Sequence, residues 1–370
     1  MRAFVVGFTG GVACRDLEPL AVADVAALCS GGFGCALLLS PDGRVRVLRP
    51  SGGAVVEPSS PPLFATHVAA GYDHAAAATR DGELRLWGVL HGASAPDAPQ
   101  PVSPSAPALP TRLAVAQLSC GERHTLVLTR DGAVWEVTNG GEAAFLRLPP
   151  GAATRVAAGA RHSLAALAGA AGVAAWGESN HGQCGRGDAL PATASASPSA
   201  STPSQHTTDA VAAASLTVPA LRGVEVVSVA AGVVHSACLT NGGDVYVWGS
   251  NAHGQLGVTD DDGASQGGRA ASRRAALTPV LVESLRCVVS LSAGAAHTLA
   301  LVRAADAGGV ERTRVVCWGR VCGGGGGVCG DDDEETCVAQ QQPRELSLPP
   351  GAGPPRAIAS GWWHALVLTD

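Results

Sequence analysis

The sequence predicts an all-β fold: a single seven-bladed β-propeller over residues 1–370 that its N-terminal strand closes. Three features recur along the chain and carry this prediction. They are an apolar segment ending in a G-x-x-H turn, a glycine-containing turn after the next apolar segment, and a strand ending in Trp-Gly. Units of this size cannot bury both faces of a sheet alone, so they must stack on their neighbours. Seven such sheets arranged radially form a propeller.

The G-x-x-H turns anchor the repeat. Six copies keep both residues: Gly71 and His74, Gly121 and His124, Gly159 and His162, Gly232 and His235, Gly294 and His297, and Gly361 and His364. A degenerate seventh copy starts at Gly31 and has no histidine. A catalytic site is needed once, whereas these residues recur in register with the repeat, so we interpret them as structural. We expect the imidazole nitrogens to satisfy backbone groups of the turn.

The second half of each repeat predicts a hairpin and a further strand. Asp-Gly or Gly-Gly between apolar runs, as at Asp81-Gly82, is a hairpin signal. Trp-Gly ends the next strand at Trp87, Trp176, Trp248 and Trp318, and we expect these indoles to pack in the core or between blades. The seventh repeat lacks this strand before Asp370. We expect the apolar segment Ala3–Phe8 to supply it and so close the ring.

Four segments read as insertions that we expect to be disordered, near 94–110, 189–217, 258–276 and 323–343. They are rich in Pro, Ser, Gly or charged residues, and the last contains the acidic run 331–335. The pattern does not place a fourth strand in each blade. The rim on which the insertions open is therefore left undetermined.

Composition excludes several classes of function. The formal charge is −6, which argues against a nucleic-acid-binding domain. All 25 basic residues are arginine, so a Walker A loop and a Schiff-base lysine are excluded. Cys317, Cys322, Cys329 and Cys337 lack the close pairs of a structural zinc site. We expect no enzyme activity, catalytic residue, metal or cofactor. We also expect no membrane segment and an intracellular location, in the nucleus or cytoplasm rather than secreted.

The combined motif resembles a known family. The G-x-x-H-[ST] turns, with WGESNHGQCG at 176–185 and WGSNAHGQLG at 248–257, are similar to the repeats of the regulator of chromosome condensation family. The resemblance covers nearly the whole chain and implies a seven-bladed propeller. Leu48 and Val137 depart from the pattern because they occupy the tryptophan position. No Trp-Asp pair closes a repeat, which disfavours the WD-repeat propeller.

The two variable residues of each G-x-x-H turn are the candidate partner-binding rim. In the resembled family these positions hold working residues, which are acids and histidine in the Ran exchange factor and tryptophans in the plant ultraviolet-B photoreceptor. The rim predicted here comprises Phe33, Tyr72, Asp73, Glu122, Arg123, Arg161, Trp362 and Trp363. Its aromatic part lies on blades seven, one and two. The alternative is a rim that varies neutrally, since a fold does not imply a function.

The sequence favours a non-catalytic, monomeric interaction propeller that acts as a scaffold or regulatory subunit for a protein partner. By resemblance to short single-propeller members, one of which works beside a Jumonji-type demethylase, that partner is a chromatin regulator. The alternative is guanine-nucleotide exchange on a small Ran-like GTPase, although a clear copy of the exchange factor's acid-plus-histidine set is missing. A photoreceptor is the third interpretation, and it rests only on 361–364.

Overall fold

A computed structural model shows an all-β chain whose described residues form seven sheets. The structure describes residues 2–6, 18–20, 25–32, 36–49, 54–56, 62–88, 100–101, 112–138, 143–146, 148, 153–187, 216–258, 275–305, 309–320, 340–348, 350–362 and 364–370. We number the blades one to seven from the sheet that begins at Ala27. Within each blade the strands are antiparallel. In blades one to six they follow one another outward in chain order, whereas the two outer strands of blade seven come from the N-terminal part of the chain.

The innermost strands of neighbouring blades contact one another in a closed circle and line a central channel of about 280 Å³. In blade order these strands are Ala27–Ser30, His67–Ala70, Val115–Cys120, Ala153–Ala158, Val226–Ala231, Val288–Ala293 and Pro355–Ser360. The second strands are Ala36–Leu39, His74–Ala78, His124–Thr129, His162–Leu167, His235–Thr240, His297–Ala305 and Ala365–Thr369. Most second-strand residues are buried, because they lie between two strands and between two blades.

The third strands include the Trp-Gly segments. They are Val45–Arg49, Leu84–Gly88, Val134–Thr138, Val173–Gly177, Val245–Gly249, Glu311–Gly319 and, in blade seven, Arg2–Val6. Each Trp-Gly indole packs with the preceding blade: Trp248, for example, lies with Val173 and Leu221 of blade four. In blade seven, Arg2–Val6 pairs with Ala365–Thr369 in antiparallel register from Arg2 opposite Thr369 to Val6 opposite Ala365.

Six of the seven sheets have a fourth, outermost strand within the described residues. These strands are Ala54–Val56, Gln100–Pro101, Ala143–Leu146, Ala276–Leu281, Gln340–Glu345 and Glu18–Leu20. Three of them lie in or at the end of segments that the sequence analysis treats as insertions. In blade four, Leu216 and Val218 instead exchange backbone hydrogen bonds with the third strand. Two short 3-10 helices, Gly169–Ala171 and Pro219–Leu221, complete the described elements.

The anchor glycines hold the blades close together at one end of the channel. A Cβ at Gly361 would lie 2.5 Å from Cε1 of His364 in its own repeat and 2.6 Å from the carbonyl oxygen of Gly31 in the next blade. The same two neighbours, its own histidine and the next anchor glycine, crowd five other anchors, which are Gly71, Gly121, Gly159, Gly232 and Gly294. Only glycine has room for this approach, which explains why glycine and histidine recur together.

Candidate functional site

The six G-x-x-H turns and the corresponding turn at Gly31 form a collar around one mouth of the channel. Backbone hydrogen bonds link neighbouring turns: Tyr72 N donates to Gly121 O at 3.1 Å, and Trp362 N donates to Gly31 O at 3.2 Å. Glu122 N donates in the same way to Ala160 O at 3.2 Å. The variable turn residues therefore surround a common opening, and we call this side of the molecule the turn face.

The anchor histidines lie beneath the turn face and connect the blades through side chains. Nε2 of His162 lies 2.9 Å from Ser236 Oγ, and Nε2 of His235 lies 3.0 Å from Thr298 Oγ1. Equivalent contacts join His74 to Thr125 at 3.0 Å, His124 to Ser163 at 2.9 Å and His364 to Ser30 at 2.6 Å. The expectation that the imidazoles bond backbone groups of the turn is therefore wrong for Nε2, whose partner is a hydroxyl of the next blade.

The hydroxyl groups also fix the protonation of the rings. Ser236 Oγ donates to Gln183 O at 2.7 Å, and Thr298 Oγ1 donates to Gln255 O at 2.9 Å. Since each hydroxyl has one proton, it accepts from the histidine, which must carry its proton on Nε2. Burial first, and then neighbouring anchor histidines, lower the pKa of His162 and of His235 to about 3. These imidazoles are thus neutral structural ties rather than acids or bases for a reaction at neutral pH.

His74 differs from the other anchors. Burial disfavours its protonation, but Cys120 and Asp73 outweigh burial and raise its pKa to about 9. Its Nδ1 lies 3.6 Å from Asp73 Oδ1, and neither atom has a hydrogen-bond partner within the described part of the chain. The side chain of His74 is fully buried, so it lies beneath Asp73 and does not face a partner.

The structure brings two of the predicted aromatic rim residues together. The rings of Tyr72 in blade two and Trp362 in blade seven lie 4.4 Å apart between centroids, with an interplanar angle of 55°. They meet across blade one, where the equivalent residue is Gly32 and a Cβ would lie 2.9 Å from the Cα of Tyr72. Both rings are half-buried. Phe33 and Trp363 lie outside the described residues.

The charged rim residues form one network on blades three and four. Arg161 Nε donates to Glu122 Oε2 at 3.3 Å, and Arg123 Nε lies 3.8 Å from Glu122 Oε1. Arg161 Nη1 also lies 3.8 Å from Oε2 of Glu178, a residue that the sequence analysis does not include in the rim. The arginine side chains are 69% and 62% exposed, whereas the glutamates are 21% and 27% exposed. The acids therefore lie below the guanidinium groups, and the outer layer of this arc is cationic.

The model of the regulator of chromosome condensation (RCC1) repeat matches residues 242–301, and a second model of this repeat matches 115–135 and 226–255. The chain contains RCC1 repeats. Prp20p of Saccharomyces cerevisiae, studied for its binding to Gsp1p and histones, superimposes on this RCC1-repeat chain with a TM-score of 0.70 at 18% identity, over 100% of this chain and 92% of that one. Human WBSCR16 does so with a TM-score of 0.65 at 18% identity, over 100% and 98%. At this identity the two structures show the fold.

Curated relatives of the RCC1-repeat chain have different roles. The human E3 ubiquitin-protein ligase HERC2 is 34% identical over 150 residues, which are 40% of this chain and 2% of that protein. The mitochondrial RCC1 domain-containing protein RUG3 of Arabidopsis thaliana is 28% identical over 62% of this chain and 51% of its own length. The ultraviolet-B receptor UVR8 of the same plant is 27% identical over 56% and 46%. The chain thus spans about half or less of these relatives.

The cysteines near residue 317 and the expectation of no membrane segment can be compared with the structure only in part. Cys317 lies in a third strand, whereas Cys322, Cys329 and Cys337 lie outside the described residues. Within the ranges given above, no group of three or more His, Cys, Asp or Glu side chains could hold a metal ion. The same ranges contain no helix long and apolar enough to cross a membrane.

Proposed function

We propose that the chain is a non-catalytic propeller that binds a protein partner on its turn face. The observation that carries this proposal is the contact between Tyr72 and Trp362, which places two large half-buried aromatic rings at the channel mouth. Large aromatic side chains and arginines supply most hot spots of protein interfaces. The repeat does not require aromatic residues here, because Ala160 and Ala295 fill equivalent positions in blades four and six.

The cationic arc indicates the chemistry of the partner. Arg123 and Arg161 project beyond the glutamates that they contact, so a partner reaches the guanidinium groups first. Carboxylates form strong, charge-assisted hydrogen bonds with guanidinium groups. The partner surface that fits is therefore an apolar protrusion over Trp362 with an acidic edge towards blades three and four. A chromatin regulator is the partner class that the family resemblance suggests.

The structure offers a matched control for the aromatic pair. Trp135 and Phe145 lie 4.9 Å apart between centroids at 56°, nearly the geometry of Tyr72 and Trp362, but they lie on the outer strands of blade three. Capture of partners from a cell extract, quantified by mass spectrometry, would compare wild type with Trp362→Ala and Phe145→Ala. We expect Trp362→Ala to lose at least tenfold in capture of specific partners, which corresponds to about 1.4 kcal/mol, and Phe145→Ala to keep it.

Melting temperatures measured on the same preparations separate binding from folding. Lost capture with unchanged melting supports the proposal. Equal capture by all three proteins, or equal loss in both variants, contradicts it. Guanine-nucleotide exchange on a Ran-like GTPase is the second candidate. The side chain of Asp73 favours it, because this acid lies on the turn face and is 23% exposed. Accelerated nucleotide release that Asp73→Ala abolishes would establish exchange instead.

A further inference from the structure

The ring of histidine–hydroxyl ties is interrupted at two of its seven joints. The residue after the anchor histidine is Thr or Ser in blades three to six, and its hydroxyl lies within hydrogen-bond distance of the anchor histidine of the preceding blade. Blade seven has Ala365 at this position, and blade two has Ala75. The joints from blade six to seven and from blade one to two therefore have no hydroxyl at this position. Ser360, the counterpart of Ser30 in blade seven, has a buried Oγ with no hydrogen-bond partner within the described ranges.

The two interruptions have different consequences. At the joint from six to seven, His297 remains, is fully buried, and has no hydrogen-bond partner for Nδ1 or Nε2 within the described ranges. At the joint from one to two, the sequence has Gly34 in place of the histidine, so no imidazole is left without a partner. A buried polar group that loses its partner destabilises the fold, whereas loss of both partners is close to neutral.

Blades seven and one remain tied to each other, since His364 Nε2 lies 2.6 Å from Ser30 Oγ. The pairing of Arg2–Val6 with Ala365–Thr369 lies within blade seven. We infer that the ring opens locally at the joint between blades six and seven, where His297 is buried with no hydrogen-bond partner within the described ranges. This inference goes beyond the proposed function and does not depend on it.

Native-state hydrogen exchange of the full chain, followed by mass spectrometry, tests this directly. Local opening shows as faster exchange in a contiguous unit of the structure. We expect amides of His297–Ala305 and Ala365–Thr369, on the two sides of this joint, to exchange about tenfold or more faster than those of His124–Thr129 and His235–Thr240, a factor that one buried hydrogen bond can supply. Equal exchange in these four strands would overturn the inference.

Three variants assign the difference to the ties. Ala365→Ser gives His297 a hydroxyl partner and should slow exchange in blades six and seven about tenfold. Ala75→Ser makes the same change where no histidine faces it, so it should slow nothing. Ser163→Ala removes a tie from the intact side of the ring and should speed exchange in blades three and four about tenfold. This variant tests the contribution of a tie even if Ala365→Ser does not fold. Equal slowing by both serine variants, or no effect of Ser163→Ala, would show that the ties do not set the opening.

Discussion

Removal of one histidine tie should cost stability at neutral pH and less as the pH falls. His235→Ala deletes the contact with Thr298 Oγ1 and leaves a buried hydroxyl with one partner fewer. The usual cost of such a loss is roughly 1–3 kcal/mol in the free energy of unfolding at pH 7. This cost by itself would not distinguish a tie from ordinary packing, but its dependence on pH does.

The sign follows from the pKa of His235, which burial, His297 and His162 together lower to about 3. The unfolded chain binds a proton at this position below about pH 6.5, whereas the folded chain does not. The wild-type imidazole therefore loses stabilising effect as the pH falls below 6.5, at about 1.4 kcal/mol per pH unit once the unfolded form is protonated. The alanine variant has no such penalty. The difference in stability between the two proteins should shrink by about 1 kcal/mol between pH 6.5 and pH 5.5.

Urea unfolding at pH 7.0, 6.5, 6.0 and 5.5 measures both proteins under identical conditions. His181→Ala is the matched control, because His181 is exposed in the loop after Trp176 and makes no tie. We expect its effect on the free energy of unfolding at pH 7 to be within about 0.5 kcal/mol. A cost of His235→Ala that stays constant from pH 7.0 to 5.5 would refute a buried, neutral imidazole. Unchanged stability at pH 7 with lost partner capture would refute the structural role.

The remaining predictions concern closure, a buried acid and the cationic arc. Deletion of Met1–Gly11 removes the strand paired with Ala365–Thr369 and so exposes the edge of Ala365–Thr369. The deletion should lower the melting temperature and promote aggregation, and a wild-type melting temperature would contradict this. Glu136→Gln should raise the free energy of unfolding at pH 7, because burial raises the pKa of Glu136 and an amide oxygen can still accept from Trp176 Nε1. The control Glu83→Gln, at an exposed site, should not raise it. Arg123→Ala should weaken partner capture without changing the melting temperature, and added salt should reduce the difference from wild type.

Repetition made the fold predictable, since seven anchors and four Trp-Gly strands specify short stacked sheets without any knowledge of contacts. The fourth strands could not be placed because segments such as Gln100–Pro101 follow long Pro-rich or Gly-rich stretches and have no alternating pattern of their own. Glu178 could not be predicted as part of the charged rim for a similar reason. It belongs to the Trp-Gly motif of blade four, and only the fold places it beside Arg161.

The hydrogen-bond partners of the histidines could not be predicted, because each bond joins two different repeats of the sequence. Five of the six anchor imidazoles contact a hydroxyl of the following blade, 39 residues away for His124 and 74 for His162. A histidine can therefore be interpreted only together with the residue after the next anchor. Between blades one and two both members of the pair are replaced, the histidine by Gly34 and the hydroxyl residue by Ala75. This is expected, because neither member stabilises the joint without the other. Between blades six and seven only the hydroxyl is replaced, and His297 is left buried with neither nitrogen bonded within the described residues, so this joint is the place to test what one tie contributes.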